Sequence, residues 1–66
     1  METMYEVRKF LRSYNSFIYT GNELADLDLI ENELNELKEN KFIEQELSFK
    51  FILIIRKERR RLRNEN

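Results

Sequence analysis

Apolar side chains recur along the chain at steps of three and four, and two polar breaks divide the pattern into three parts. Met4, Val7, Leu11 and Tyr14 form the first stripe, with Phe10 at its margin. Leu24, Leu27, Ile30, Leu34 and Leu37 form the second, and Leu47, Phe51, Ile54, Ile55 and Leu62 the third. The pattern predicts helices over about 4–14, 22–40 and 44–62. The fold class expected is all-α: one compact three-helix bundle, its third helix extended at the C-terminal end.

The punctuation fits that division. Thr3 and Glu6 have capping-box spacing, in which each side chain satisfies a free backbone N–H at the helix start. Ser13 to Ser16 should stop the first helix, because Ser and Asn compete for backbone hydrogen bonds. Asn15 to Asn22 reads as a connection, with Phe17, Ile18 and Tyr19 packed across the end of the bundle and Gly21 either at positive φ or allowing a close approach. Asn22 is the expected N-cap of the second helix, with Thr20 and Glu23 as its rival. Asn40 and Lys41 supply a stop. The run FILII has strand propensity, but strong helix formers flank it and a lone strand has no partner. Asn64 to Asn66 should fray.

Composition narrows the chemistry. The 66 residues include one Gly and no Pro, Cys or His. Disulfides, the usual zinc sites, thiol nucleophiles, imidazole bases and Gly-rich phosphate loops are excluded. Asp26 and Asp28 are two positions apart, so on a helix they point roughly 200° apart and cannot chelate together. Glu33 and Glu36 share a face, but no pocket-forming residues accompany them. The expectation is no enzyme, no catalytic residue, no metal and no cofactor. The longest apolar run, Phe51 to Ile55, is far shorter than the roughly 20 residues of a membrane span. The opening METMYEVRKF does not read as a signal peptide, so a cytoplasmic location is expected.

Charge is segregated rather than balanced. Residues 1–22 carry a net +1, residues 23–46 a net −7 and residues 47–66 a net +5. Cross-helix ion pairs would use part of this contrast. They cannot use all of it: Arg56, Lys57, Arg59, Arg60, Arg61 and Arg63 surround the helix axis at about 100° per residue. The last turns are expected to project past the acidic helix as a cationic arm suited to phosphates. A second basic face, Tyr5, Arg8, Lys9 and Arg12, lies opposite the first apolar stripe, and an aromatic ring among cations suits base stacking. Phe17 and Tyr19 either add to that face or form a hydrophobic lid. The candidate nucleic-acid-binding residues are therefore Tyr5, Arg8, Lys9, Arg12, Arg56, Lys57, Arg59, Arg60 and Arg63. Phe49, Ile52 and Leu53 fit no core stripe and are candidates for self-association, as a homodimer or higher oligomer.

Tyr5–Glu6–Val7, the Tyr14 to Gly21 loop ending Ile18–Tyr19–Thr20–Gly21, the Glu33–Leu34–Asn35–Glu36–Leu37 core of the second helix, Phe42–Ile43–Glu44 and Arg56–Lys57–Glu58 together resemble the YqgQ-like family of small Gram-positive bacterial proteins of unknown function. The likeness runs from Tyr5 to Glu58. It implies a compact three-helix bundle and single-stranded nucleic-acid binding; it carries no catalytic residue. The chain departs from the family pattern in bulky Phe49, Phe51, Ile52 and Leu53, and in the Arg run at 59–61. The leading functional expectation is a protein that binds single-stranded RNA or DNA. The alternative is a protein–protein interaction or self-associating adaptor module, and the least favoured is binding to an anionic membrane surface by the basic third helix.

Overall fold

The computed structural model describes residues 3–64. Three helices follow one another, α1 (Met4–Arg12), α2 (Glu23–Glu39) and α3 (Gln45–Asn64), and no strand occurs among the described residues. All the helix ends fall within two residues of the sequence expectation. Asn64, expected to fray, is helical. Glu65 and Asn66, expected to fray with it, lie outside the described residues.

The helix starts are built differently. Asn22 caps α2 as expected, its side-chain oxygen accepting from the Ala25 N–H at 3.0 Å. The Thr3–Glu6 capping box does not form. Thr3 makes no side-chain capping bond, and the Glu6 N–H instead donates to the Thr3 carbonyl at 3.0 Å. Thr20, the rival cap of α2, is engaged elsewhere.

Two helix ends close in the same manner. After α1, the Ser16 N–H reaches back to the Leu11 carbonyl at 3.0 Å and the Asn15 N–H to Arg12 at 2.9 Å, with Asn15 left-handed at φ 60°. After α2, the Phe42 N–H reaches Leu37 at 2.8 Å and the Lys41 N–H reaches Lys38 at 3.0 Å, with Lys41 at φ 63°. Both are Schellman closures, in which one left-handed residue lets the last carbonyls find donors. Gly ordinarily fills that place; here Asn and Lys do, at a cost in backbone strain. Gly21 takes φ 91° in the connection, as expected.

The core joins all three helices. Val7 and Leu11 of α1, Leu27, Ile30, Leu34 and Leu37 of α2, and Phe51 and Ile55 of α3 are buried together with Ile43. Each such side chain contributes roughly 1.5–3 kcal/mol of transfer free energy when fully buried. Met4, Phe10, Leu47, Ile54 and Leu62 pack around them. Phe10 joins α1 to α3 through a tilted ring contact with Phe51, centroids 5.2 Å apart. Tyr14, expected in the core, is exposed but tied: its hydroxyl donates to the Phe42 carbonyl at 3.0 Å.

One further core expectation changes. Leu24 is 37% exposed, and Asp26 is buried in its neighbourhood instead. Ser48 is also buried, on the α3 flank that faces α2 beside Asn35 and Lys38. The connection is not the lid expected of it. Ile18 packs on the core, but Phe17 is 73% and Tyr19 83% exposed. No helix is long and apolar enough to cross a membrane among the described residues.

Candidate nucleic-acid interface

The helix α3 sets the cationic surface by its periodicity. Steps of four and three from Arg56 reach Arg60 and Arg63, so the three guanidinium groups share one face. That face lies opposite Phe51 and Ile55, which are buried, and it looks to solvent. Arg56, Arg59, Arg60 and Arg63 line one open depression together with Asn64. Lys57 is exposed beside them.

The acidic helix neutralises part of this set. Arg59 turns toward α2, where its Nη2 sits 2.9 Å from Asp28 Oδ1 and 3.0 Å from Glu31 Oε1. Its side chain is only 17% exposed. The Glu31 hydrogen bond raises the Arg59 pKa further above its usual value, so the group is a fixed cation with its charge already matched. Arg59, expected as a free phosphate ligand, is therefore an internal tie between α2 and α3. Arg61 is held within α3: its Nε and Nη2 donate to the two Glu58 oxygens at 2.9 and 2.7 Å. That bidentate contact lowers the Glu58 pKa against the opposing pull of partial burial. Arg56, Lys57, Arg60 and Arg63 make no ion pair among the described residues.

The cationic turns do not stand clear of the bundle as an arm. Leu62 packs on the core, and Glu58, Arg61 and Leu62 border one groove with Glu23, Asp26 and Leu27 at the start of α2. Arg59, facing Asp28 and Glu31, fixes the same antiparallel register. The stripe thus runs along the bundle surface on a rigid helix, with Arg63 and Asn64 past the last core contact.

The basic face of α1 is smaller than expected. Tyr5, Lys9 and Arg12 are exposed, and the Arg12 guanidinium carbon stands 5.8 Å from the centre of the Tyr5 ring, a cation–π contact. Arg8 is not part of that face. Its Nη1 donates to the Ile18 carbonyl at 2.8 Å, and its Nη2 lies 3.9 Å from Asp26 Oδ2. Arg8 was expected outward because its helical angle lies near Tyr5 and Arg12; the folded-back connection supplies acceptors on its other side. Arg12, Phe17 and Tyr19 border a cleft of about 170 Å³ over Leu11 and Ile30. The loop aromatics thus join the α1 face rather than covering the core. The cleft beside this face and the depression along the α3 stripe share no lining residue.

Sequence reasoning missed the tie that holds the connection. Asp26 Oδ1 accepts from the Thr20 hydroxyl at 2.6 Å and from the Thr20 N–H at 2.9 Å. The hydroxyl bond lowers the Asp26 pKa below its usual value, against the upward pull of burial, with help from the Thr20 N–H and Arg8. An acidic residue in the first turns of a helix already suits the dipole, so nothing in the pattern singled Asp26 out. No group of three carboxylates able to hold a metal occurs among the described residues.

The chain is 30% identical over 64 residues to Uncharacterized protein YqgQ of Bacillus subtilis (strain 168), an alignment spanning 97% of this chain and 90% of that protein. No solved structure matches it significantly. Residues 1–61 match the YqgQ-like family, and the chain belongs to that family.

Proposed function

We propose that this protein binds single-stranded nucleic acid through the solvent face of α3. The observation that carries the reading is the charge left over after α2 has taken its share. Arg56, Lys57, Arg60 and Arg63 are exposed and without a carboxylate partner among the described residues, although the neighbouring helix is rich in carboxylates. A stripe of unpaired guanidinium groups on a rigid helix attracts phosphates and releases their counterions. Tyr5, Arg12, Phe17 and Tyr19 support the same reading, since exposed rings beside a cation are suited to unstacked bases. Single strands suit these separate basic and aromatic surfaces better than a duplex, because no helix–turn–helix presents a recognition helix among the described residues.

Binding of this kind weakens steeply with salt, with a log–log slope near −0.7 per phosphate neutralised on a single strand. Fluorescence anisotropy of a labelled single-stranded oligonucleotide at low salt tests the reading. A saturable rise that falls away with added salt is expected. No change at about 100 micromolar protein, the weak end of non-specific binding, overturns it.

A further inference from the structure

We propose that the outward face of α3 joins a second copy of this chain in an antiparallel, two-fold pairing centred near Phe51. Phe49, Ile52 and Leu53 have no part in the proposed nucleic-acid surface; Arg56 is shared with it. Phe49 is 63% and Leu53 49% exposed, and Ile52 beside them is half-buried. Leu53 and Phe49 point away from buried Phe51 and Ile55, and Ile52 lies on the flank toward α2, where it borders a groove with Phe49, Asn35 and Lys38. On a chain with nine buried apolar side chains, these three form a contiguous patch in want of a cover.

Charge decides what covers it. Along the same face, exposed Glu46 lies one turn before Phe49, and Arg56 lies just after Leu53. Neither makes an ion pair among the described residues. A parallel copy would set Glu46 on Glu46, Arg56 on Arg56 and Arg60 on Arg60, all repulsive. An antiparallel copy centred near residue 51 sets Phe49 on the second copy's Leu53 and Glu46 on the second copy's Arg56, twice by symmetry. The face is self-complementary in that orientation alone.

The pairing covers the apolar half of the α3 stripe and leaves the cationic end open. Arg60 and Arg63 lie beyond the contact, one set at each end of the paired helices. At 1.5 Å per residue the two sets stand roughly 30 Å apart. A dimer would therefore present two cationic clusters, one at each end, able to engage a single polyanion at two points.

Sedimentation equilibrium measures the mass directly. Twice the 8.2 kDa chain mass is expected at tens of micromolar, and Phe49→Asp should return the monomer with its helical circular dichroism intact. Glu46→Arg and Arg56→Glu should each weaken association about tenfold or more, and the double reversal should restore it. Because the chain has no Cys, engineered cysteines report orientation cleanly. A mixture of Glu46→Cys and Arg56→Cys chains should oxidise to the mixed disulfide. Monomer mass at every concentration overturns the proposal and leaves the face to a different protein. A dimer that forms only the Glu46→Cys homodisulfide overturns its orientation.

Discussion

Thr20 and Asp26 are bound twice: the Thr20 hydroxyl and amide both donate to one oxygen of the buried Asp26 carboxylate, at 2.6 and 2.9 Å. Arg8 completes the arrangement, with one nitrogen on the Ile18 carbonyl and another near the second Asp26 oxygen. The connection between α1 and α2 is thus fastened to both helices by polar groups. Its aromatic side chains are left free to face solvent.

Acid should loosen this fastening. The Thr20 bonds hold the Asp26 pKa below its ordinary value of 3.8, so near that pH the unfolded chain binds more protons than the folded one. The stabilisation is complete above the ordinary value and is lost as pH falls through it toward the lower folded value. Urea midpoints between about pH 2 and 6 should drop on the acid side. Asp26→Asn should be less stable at neutral pH and show a flatter acid limb. An unchanged acid limb in that variant would remove Asp26 from the account.

The two Schellman closures hold strained residues. Lys41 and Asn15 stand at φ 63° and 60°, where a side chain costs about 1–2 kcal/mol. Lys41→Gly should therefore raise the unfolding free energy, by roughly 1 kcal/mol, in a urea titration. Gly21→Ala should lower it by a comparable amount. A Cβ there meets nothing within 4 Å, so the cost comes from φ 91° alone.

Core and flank should separate cleanly by mutation. Ile55 is fully buried among all three helices, so Ile55→Ala should cost about 2–5 kcal/mol, enough to unfold much of a domain this small. Leu24→Ala, at an exposed position, should cost far less. Thermal melts of the two variants side by side test the packing.

Much of this arrangement was legible in the sequence. The 3.6-residue stripes named Val7, Leu11, Leu27, Ile30, Leu34, Leu37, Phe51 and Ile55, all of which are buried. Asn22 was legible as a cap because its capping bond is local, and Gly21 as a positive-φ residue because few others adopt that backbone readily. What escaped was tertiary. Arg8 and Arg59 read as surface cations, and only the folded path of residues 13–22 and the α2–α3 register bring acceptors to them. Leu24 fits the period of its helix, yet lies beyond the reach of the other two. Phe17 and Tyr19 are apolar enough for a lid, but the Thr20–Asp26 tie fixes the loop without burying them.

Arg59 and Arg60 are neighbours with opposite expected roles. Arg59→Ala breaks the tie to Asp28 and Glu31 and should cost up to about 1 kcal/mol, with little effect on oligonucleotide affinity. Arg60→Glu should leave the melt nearly unchanged and weaken binding. Equal losses of affinity in both variants would mean that the paired and unpaired arginines are not distinguished.

The most direct measurement is the salt dependence of single-strand affinity for the wild-type chain beside the double variant Arg60→Glu, Arg63→Glu. The wild type should show a slope of at least about −1.4, as for two phosphates neutralised per chain, and the folded variant no measurable binding. Equal affinity and an equal slope in the two proteins would contradict this reading.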